Sequence, residues 1–374
     1  MAYSDIKDPS AYFHTQTYTG TGPNQDVVND AHSDDFKPDI LWIKNRTWGN
    51  YGAVCYDSSR GVKRQFYFAP DSYGDDAEAY NADGQSSVQL FNTNGFRGGS
   101  STNIYAILWI NGLDAGYVAW QWQVNGGTTS SNSDGNISST VQVNQDAGLS
   151  IVQWTGTGSG TADPKIGHGL GATPNVIFVK ARSQALGWVA YHSGIDGTNS
   201  RNKYILPHDN DAAGTLANYW GTAASGGVTS STFGVYADNQ SGNNYLNSTY
   251  VAYCFAEKQG FSKFGSYIGN GNDDGPFVYT GFKPAFLLMK RTDSTGNWVN
   301  IDNKRDPSNV SKHRMFQNLT NSDNTTRNYI DLLSNGFKMR DTDADHNQSG
   351  QTMIFMAWAE NPFVTSTGVP TPAR

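Results

Sequence analysis

The chain is 374 residues long, with 26 basic and 33 acidic side chains and a formal charge of −7; the basic residues are scattered, which argues against the basic stripe of a nucleic-acid binder. No apolar run approaches the roughly 20 residues of a membrane-spanning helix, so no membrane insertion is expected, and the polar start Met1 to Ser10 lacks a signal peptide's apolar core. Cys55 and Cys254 are the only cysteines and read as reduced core residues of a protein made in a cytosol.

Glycine fills 41 positions, and with abundant Asn, Ser, Thr and Asp it signals many tight turns between short strands. The only glutamates are Glu78, Glu257 and Glu360, and no stretch shows helical periodicity with caps, so the class is all-β. Aromatics at 13% supply core area that Leu and Ile do not.

In chain order, one motif is written three times. The first copy runs Tyr18-Thr19-Gly20-Thr21-Gly22 and then Phe36-Lys37-Pro38 to Lys44. The second runs Trp154-Thr155-Gly156-Thr157-Gly158 and then Ala172-Thr173-Pro174 to Lys180. The third runs Tyr267-Ile268-Gly269-Asn270-Gly271 and then Phe282-Lys283-Pro284 to Lys290. Proline and lysine are six positions apart each time, and aromatic and proline are 20, 20 and 17 apart. Such fixed spacing marks an array of one folding unit.

After each proline comes an apolar run, Ile40 to Ile43, Val176 to Val179 and Phe286 to Met289. Apolar residues at successive positions predict a strand covered on both faces, as in a sandwich or a packed trimer. The closing lysine is expected where the strand reaches solvent, and the Gly-x-Gly turns are expected to be hairpins. A second strand is predicted at Trp188 to Tyr191 and at Trp298 to Ile301, with Tyr51 to Tyr56 a looser counterpart, so the first copy departs from the other two. A turn then enters an aromatic at Asn94-Gly95-Phe96, Ser231-Thr232-Phe233 and Asn335-Gly336-Phe337. Each copy closes on an aromatic-rich strand in which Trp120 and Trp122, Tyr253 and Phe255, and Met356 and Trp358 share a core-facing side by strand period two.

The expected fold is three tandem β-sandwich repeats, jelly-roll or lectin-like. The first repeat covers 1–123 with an N-terminal arm, followed by a Gly/Ser/Thr-rich spacer with a small hairpin at 124–148. The second repeat covers 149–259, the third 260–363, and an extended tail 364–374. The last two should abut, and the first is expected to take a separate orientation.

Chemistry is sparse. Glu257 and Glu360 stand at the same place in consecutive copies, so they are not expected to face each other as a glycosidase carboxylate pair. None of the seven histidines sits in a zinc-type spacing, and no nucleophile elbow occurs. Asp341, Asp343 and Asp345 alternate as calcium ligands do, but His346 and Thr352 occupy the sixth and twelfth places, where an EF-hand wants Gly and Glu. A solvated acidic loop is the favoured reading there, and no cofactor other than that calcium is a candidate. Loops rich in Tyr, Asn, Gly and Ser suit carbohydrate or protein contact; Tyr236 to Tyr245, with Tyr236, Asn239, Asn243 and Tyr245, and Ser322 to Asn328, with Asn324, are the candidates.

The Tyr-Thr-Gly-Thr-Gly and Phe-x-Pro-Asp-x-x-Trp-Ile-Lys pattern resembles a repeat family in virion proteins of marine bacteriophages, particularly those of cyanobacteria. So do the stretches Tyr250 to Glu257, Phe264 to Gly271, Gly275 to Phe282 and Ala359 to Phe363. The resemblance spans about Phe13 to Phe363 and brings no catalytic or binding residues with it. It implies a structural component of a tailed-phage virion, tail- or fibre-associated, whose loops contact other virion proteins or host surface glycans. The expected location is the virion, after synthesis in the host cytoplasm, as a homo-oligomer for which a trimer fits virion symmetry. A capsid decoration or cement protein, and a polysaccharide-degrading tailspike, are the alternatives; no enzymatic activity is the leading expectation.

Overall fold

A computed structural model describes residues 6–30, 36–69, 74–81, 87–99, 106–238 and 242–362. Among them the chain is nearly all strand and turn, its single α-helix being the four-residue Ala344–Asn347. The all-β expectation therefore holds. The tail 364–374 lies outside the described residues.

Three large sheets carry the three motif copies. In the first, the lateral order is Phe13–Thr19, Gly116–Trp122, Ile40–Asn45, Val54–Asp57, Arg64–Tyr67 and Ala79–Tyr80. The second runs Ser130–Asn132, Ser139–Asn144, Leu149–Thr155, Thr249–Phe255, Val176–Ala181 and Val189–His192. In the third it is Ser262–Ile268, Thr352–Pro362, Phe282–Arg291, Val299–Asp302 and Met315–Phe316. In each sheet the strand holding the motif lysine lies between the closing aromatic strand and the short second strand. At Val54–Asp57 the first copy pairs in the same way as the others. Residues 124–148 contribute the antiparallel pair Ser130–Asn132 and Ser139–Asn144 to the second sheet.

The Gly-x-Gly segments are not hairpins. Each carries the chain from its large sheet to a small one: Gln25–Val27 with Gly95–Gly98 and Val88–Asn92, Lys165–Gly167 with Thr232–Gly234, and Phe277–Tyr279 with Gly336–Met339 and Ile330–Leu333. A buried asparagine holds each crossing. Asn111, Asn244 and Asn347 accept, through Oδ1, the backbone N–H of Thr21, Thr157 and Asn270, each at 3.0 Å. The first glycine is required by close approach, since a Cβ on Gly20 would lie 2.2 Å from the Gly112 carbonyl oxygen, and one on Gly156 2.3 Å from that of Tyr245.

The small sheets cover the outer faces of the large ones, and the buried apolar side chains fall into four clusters among the described residues. By strand period two, Leu41 and Ile43, Ile177 and Val179, and Leu287 and Met289 enter three outer clusters with Phe96, Phe233 and Phe337. The alternate residues Ile40 and Trp42, Val176 and Phe178, and Phe286 and Leu288 all enter one central cluster. That cluster also holds Trp120, Trp122, Tyr253, Phe255, Met356 and Trp358, the side chains expected to share a core face. At its middle, Trp122 and Trp358 have ring centroids 5.2 Å apart, Phe255 and Trp358 5.5 Å, and Trp122 and Phe255 6.3 Å. The three sheets thus close around shared aromatics, and the first is not set apart from the others. Strands apolar on both faces need this arrangement, because a single covering sheet would leave half their side chains in water.

Candidate functional site

The motif lysines are buried, contrary to the solvent position expected of them. Lys44, Lys180 and Lys290 continue the inward face of Ile40, Val176 and Phe286 by strand period, and all three are inaccessible. Each ammonium donates to a neighbouring segment's carbonyls: Lys44 to Leu319 at 2.5 Å, Lys180 to Gly74 at 2.8 Å, and Lys290 to Asp211 at 2.9 Å. Burial pulls Lys44 and Lys180 down to about 7 and Lys290 to about 8.

Beside two of these lysines sits a buried ion network that the sequence reading did not single out. Arg60 pairs with Asp57, and its Nη1 lies 2.9 Å from Glu78 Oε1; Glu78 also accepts from Arg182 of the second sheet at 3.1 Å. Burial pushes the Glu78 carboxyl up, but Arg60 and Arg182 outweigh it and hold the group at about 2. The counterpart is Arg305 with Asp302 at 2.6 Å and Asp323 at 3.0 Å, Asp323 also accepting from Arg46 of the first sheet at 3.1 Å. Tyr253 donates to Asp57 at 2.6 Å and Trp120 Nε1 to Asp302 at 3.1 Å, again across sheets. The legible signal was Asp-x-x-Arg beginning on the last residue of the second strand, at Asp57 and Arg60 and at Asp302 and Arg305, replaced by His192 and Ile195 in the middle copy. These groups hold the sheets together, and the Asp57, Arg60, Asp302 and Arg305 side chains are fully inaccessible.

Most of the nominated loop residues also serve the fold. Asn243 is buried, accepting from Tyr236 N at 3.1 Å and donating to Tyr219 O at 3.1 Å. Tyr236 is half-buried and stacks on Tyr219, while Tyr245 is exposed. Asn239 lies outside the described residues. Asn324 Oδ1 accepts from the Tyr329 hydroxyl at 2.9 Å and from Thr326 N at 3.1 Å, so it shapes its own turn. The three aspartates diverge: Asp341 pairs with His346 at 2.7 Å, Asp343 with Arg314 at 2.7 Å, and Asp345 accepts from Asn297 N at 2.7 Å. Among the described residues no group of three or more His, Cys, Asp or Glu side chains could hold a metal ion. Glu257 and Glu360 each have their own lysine, Lys263 at 2.6 Å and Lys283 at 3.2 Å.

Two nominated segments do meet. Thr325 to Asn328 and Asp341 with Thr342 line one open cleft of about 440 Å³, together with Asp273, Lys312 and Arg340. It lies where the three strands of the third small sheet end side by side. On that sheet's outward face stand Phe277 and Tyr279, 47% and 58% exposed, two residues apart on one strand. Phe277 is opposite Lys338, which shares its face and alternates with Arg340. In the other small sheets, register places Asp26 and Val28, or Lys165 and Gly167, at the corresponding positions. The sequence signal was the alternation Phe277-Val278-Tyr279, in which only the middle residue is buried.

The candidate site thus combines two exposed rings, a neighbouring polar cleft, and a turn pinned by Asn270 and Asn272 side chains accepting from Asn272 N and Asp274 N. No curated protein and no solved structure matches the chain. Residues 8–362 match a family described as a domain of unknown function, DUF7483, and the chain belongs to that family.

Proposed function

We propose that this protein is a non-catalytic structural component of a tailed-phage virion, tail- or fibre-associated, that contacts surface glycans through the third small sheet. The virion assignment rests on the resemblance of the threefold motif. The glycan contact rests on one observation: Phe277 and Tyr279 stand exposed beside a polar cleft in one motif copy alone. Aromatic rings are costly to leave in water, and a ring pair flanked by polar groups suits the apolar face and hydroxyl rim of a sugar. The three copies are read as repeats of one unit, with function placed where they differ.

Gold-labelled antibody against the protein, applied to virions of the phage encoding it, should decorate tails. Head decoration would reassign it as a cement protein, and unlabelled particles would remove the virion reading. Purified protein incubated with host envelope polysaccharide should release no reducing ends; their release would replace this reading with a depolymerase.

A further inference from the structure

We infer that the third small sheet takes an acidic saccharide, its ring stacked on Phe277 and Tyr279 and its carboxylate or sulfate held at the adjoining cleft. The inference rests on the glycan reading above and adds the charge of the ligand and the groups that read it. Three observations carry it.

First, the cleft lining runs against the protein's overall charge of −7, with Lys312, Arg327 and Arg340 set against Asp273 and Asp341. Second, its arginines are loosely engaged. Arg340 Nε is 3.5 Å from Asp331, and Arg327, 53% exposed, is 3.8 Å from Asp343, whose closer partner is Arg314 at 2.7 Å. Planar guanidinium donors at such distances have bonds to give to a carboxylate or sulfate. Third, Asp341 is only 5% exposed, and while its Oδ1 meets His346, its Oδ2 has no hydrogen-bond partner among the described residues. An acceptor left unpaired in a buried position is costly, and because Asp341 lines the cleft, a turn of its carboxylate towards the opening would let a ligand hydroxyl supply the missing donor. A simple anion has no such donor, whereas an acidic sugar carries hydroxyls, an anionic group and an apolar ring face together.

The test uses the full chain, a thymidine oligonucleotide and four saccharide probes: a galacturonate oligosaccharide, the same oligosaccharide with its carboxyls reduced to alcohols, dextran sulfate, and unsulfated dextran. Calorimetric titration should show at least tenfold tighter binding of an acidic probe than of its neutral counterpart. Arg340→Ala should erase that preference, and Tyr279→Ala should weaken acidic and neutral probes alike by about tenfold, both with unchanged melting temperature because Tyr279 is exposed and half-buried Arg340 gives up only a 3.5 Å contact with Asp331. Equal binding of acidic and neutral probes, lost in Tyr279→Ala, would overturn the charge assignment and leave the glycan reading standing. Absence of binding to all four saccharides would overturn both. Tighter binding of a thymidine oligonucleotide than of any saccharide would show that the rings and arginines serve a nucleic acid instead.

Discussion

Two of the three junctions between large sheets are closed by a buried arginine–carboxylate set, and the third is closed without one. Between the first and second sheets the chain places Asp57, Arg60 and Glu78, and between the third and first it places Asp302, Arg305 and Asp323. At the corresponding places between the second and third stand His192, Ile195 and Ala213. Ala213 N donates to Thr292 O at 2.8 Å, just as Glu78 N donates to Arg182 O at 2.9 Å and Asp323 N to Arg46 O at 3.0 Å. Ile195 and Ala213 pack on the central cluster, and His192 Nε2 lies 3.1 Å from the Phe355 carbonyl oxygen. The same backbone docking therefore tolerates either chemistry. What differs is the penalty for breaking a set, since a buried charge stripped of its partner is far costlier than a lost apolar contact.

The largest expected effect breaks one ionic set. Arg60→Ala strands Asp57 and part of Glu78 in the interior and should cost about 3–5 kcal/mol in urea unfolding. Replacing Asp57, Arg60 and Glu78 by their counterparts, Asp57→His with Arg60→Ile and Glu78→Ala, leaves Arg182 without its carboxylate, and because that side chain is 20% exposed the variant should stay within about 2 kcal/mol of the parent. If the triple variant falls as far as the single one, the two chemistries are not interchangeable and the comparison fails.

Mild acid should find the junction between the second and third sheets first. Burial holds His192 at about 4 against an ordinary 6.5. Between these values the unfolded chain binds the extra proton, so stability is complete above 6.5 and is lost as pH falls towards 4, by on the order of 3 kcal/mol. Glu78, at about 2 against 4.5, begins to lose its contribution only below about 4.5. His192→Gln should therefore make the stability profile shallower between pH 6.5 and 4.5, part of the slope that remains there belonging to His168, which burial also holds at about 4, and should leave the steeper acid limb in place.

The smallest effect concerns the lysines common to all three junctions. The unfolded lysine keeps its proton to about 10.5, whereas folded Lys44 and Lys180 release theirs from about 7. Over that interval the unfolded chain binds more protons, so these groups make stability rise with pH. Lys44→Met should cost about 1–3 kcal/mol by leaving the Leu319 carbonyl without its donor, and should reduce that alkaline rise in melting temperature.

Much of the architecture was legible because it follows from local rules. Period two in Ile40 to Ile43 and its counterparts demanded cover on both faces, and the shared side of Trp120 and Trp122 with their equivalents is the side that packs centrally. The same period also placed Lys44 on the inward face, yet a lysine closing an apolar run reads as the point of exit to solvent; only the carbonyls of another segment make its burial tolerable. Likewise Gly20-Thr21-Gly22 announced a turn but not its destination, which is fixed by Asn111, some 90 residues on. In the candidate site, the loops at 322–328 and 341–345 were marked separately by composition. Their meeting at one cleft, beside Phe277 and Tyr279, depends on strand register across the third small sheet.

Strand positions, the all-β class and the threefold motif are properties of residue order, because side-chain period and turn chemistry act over a few neighbours. Which polar groups are buried, which carbonyl each lysine meets, and which of three similar small sheets keeps its aromatics in water are decided when the sheets close on Trp122, Phe255 and Trp358. Those outcomes turn on contacts between residues 79 to 275 positions apart, over which sequence spacing carries no geometric information.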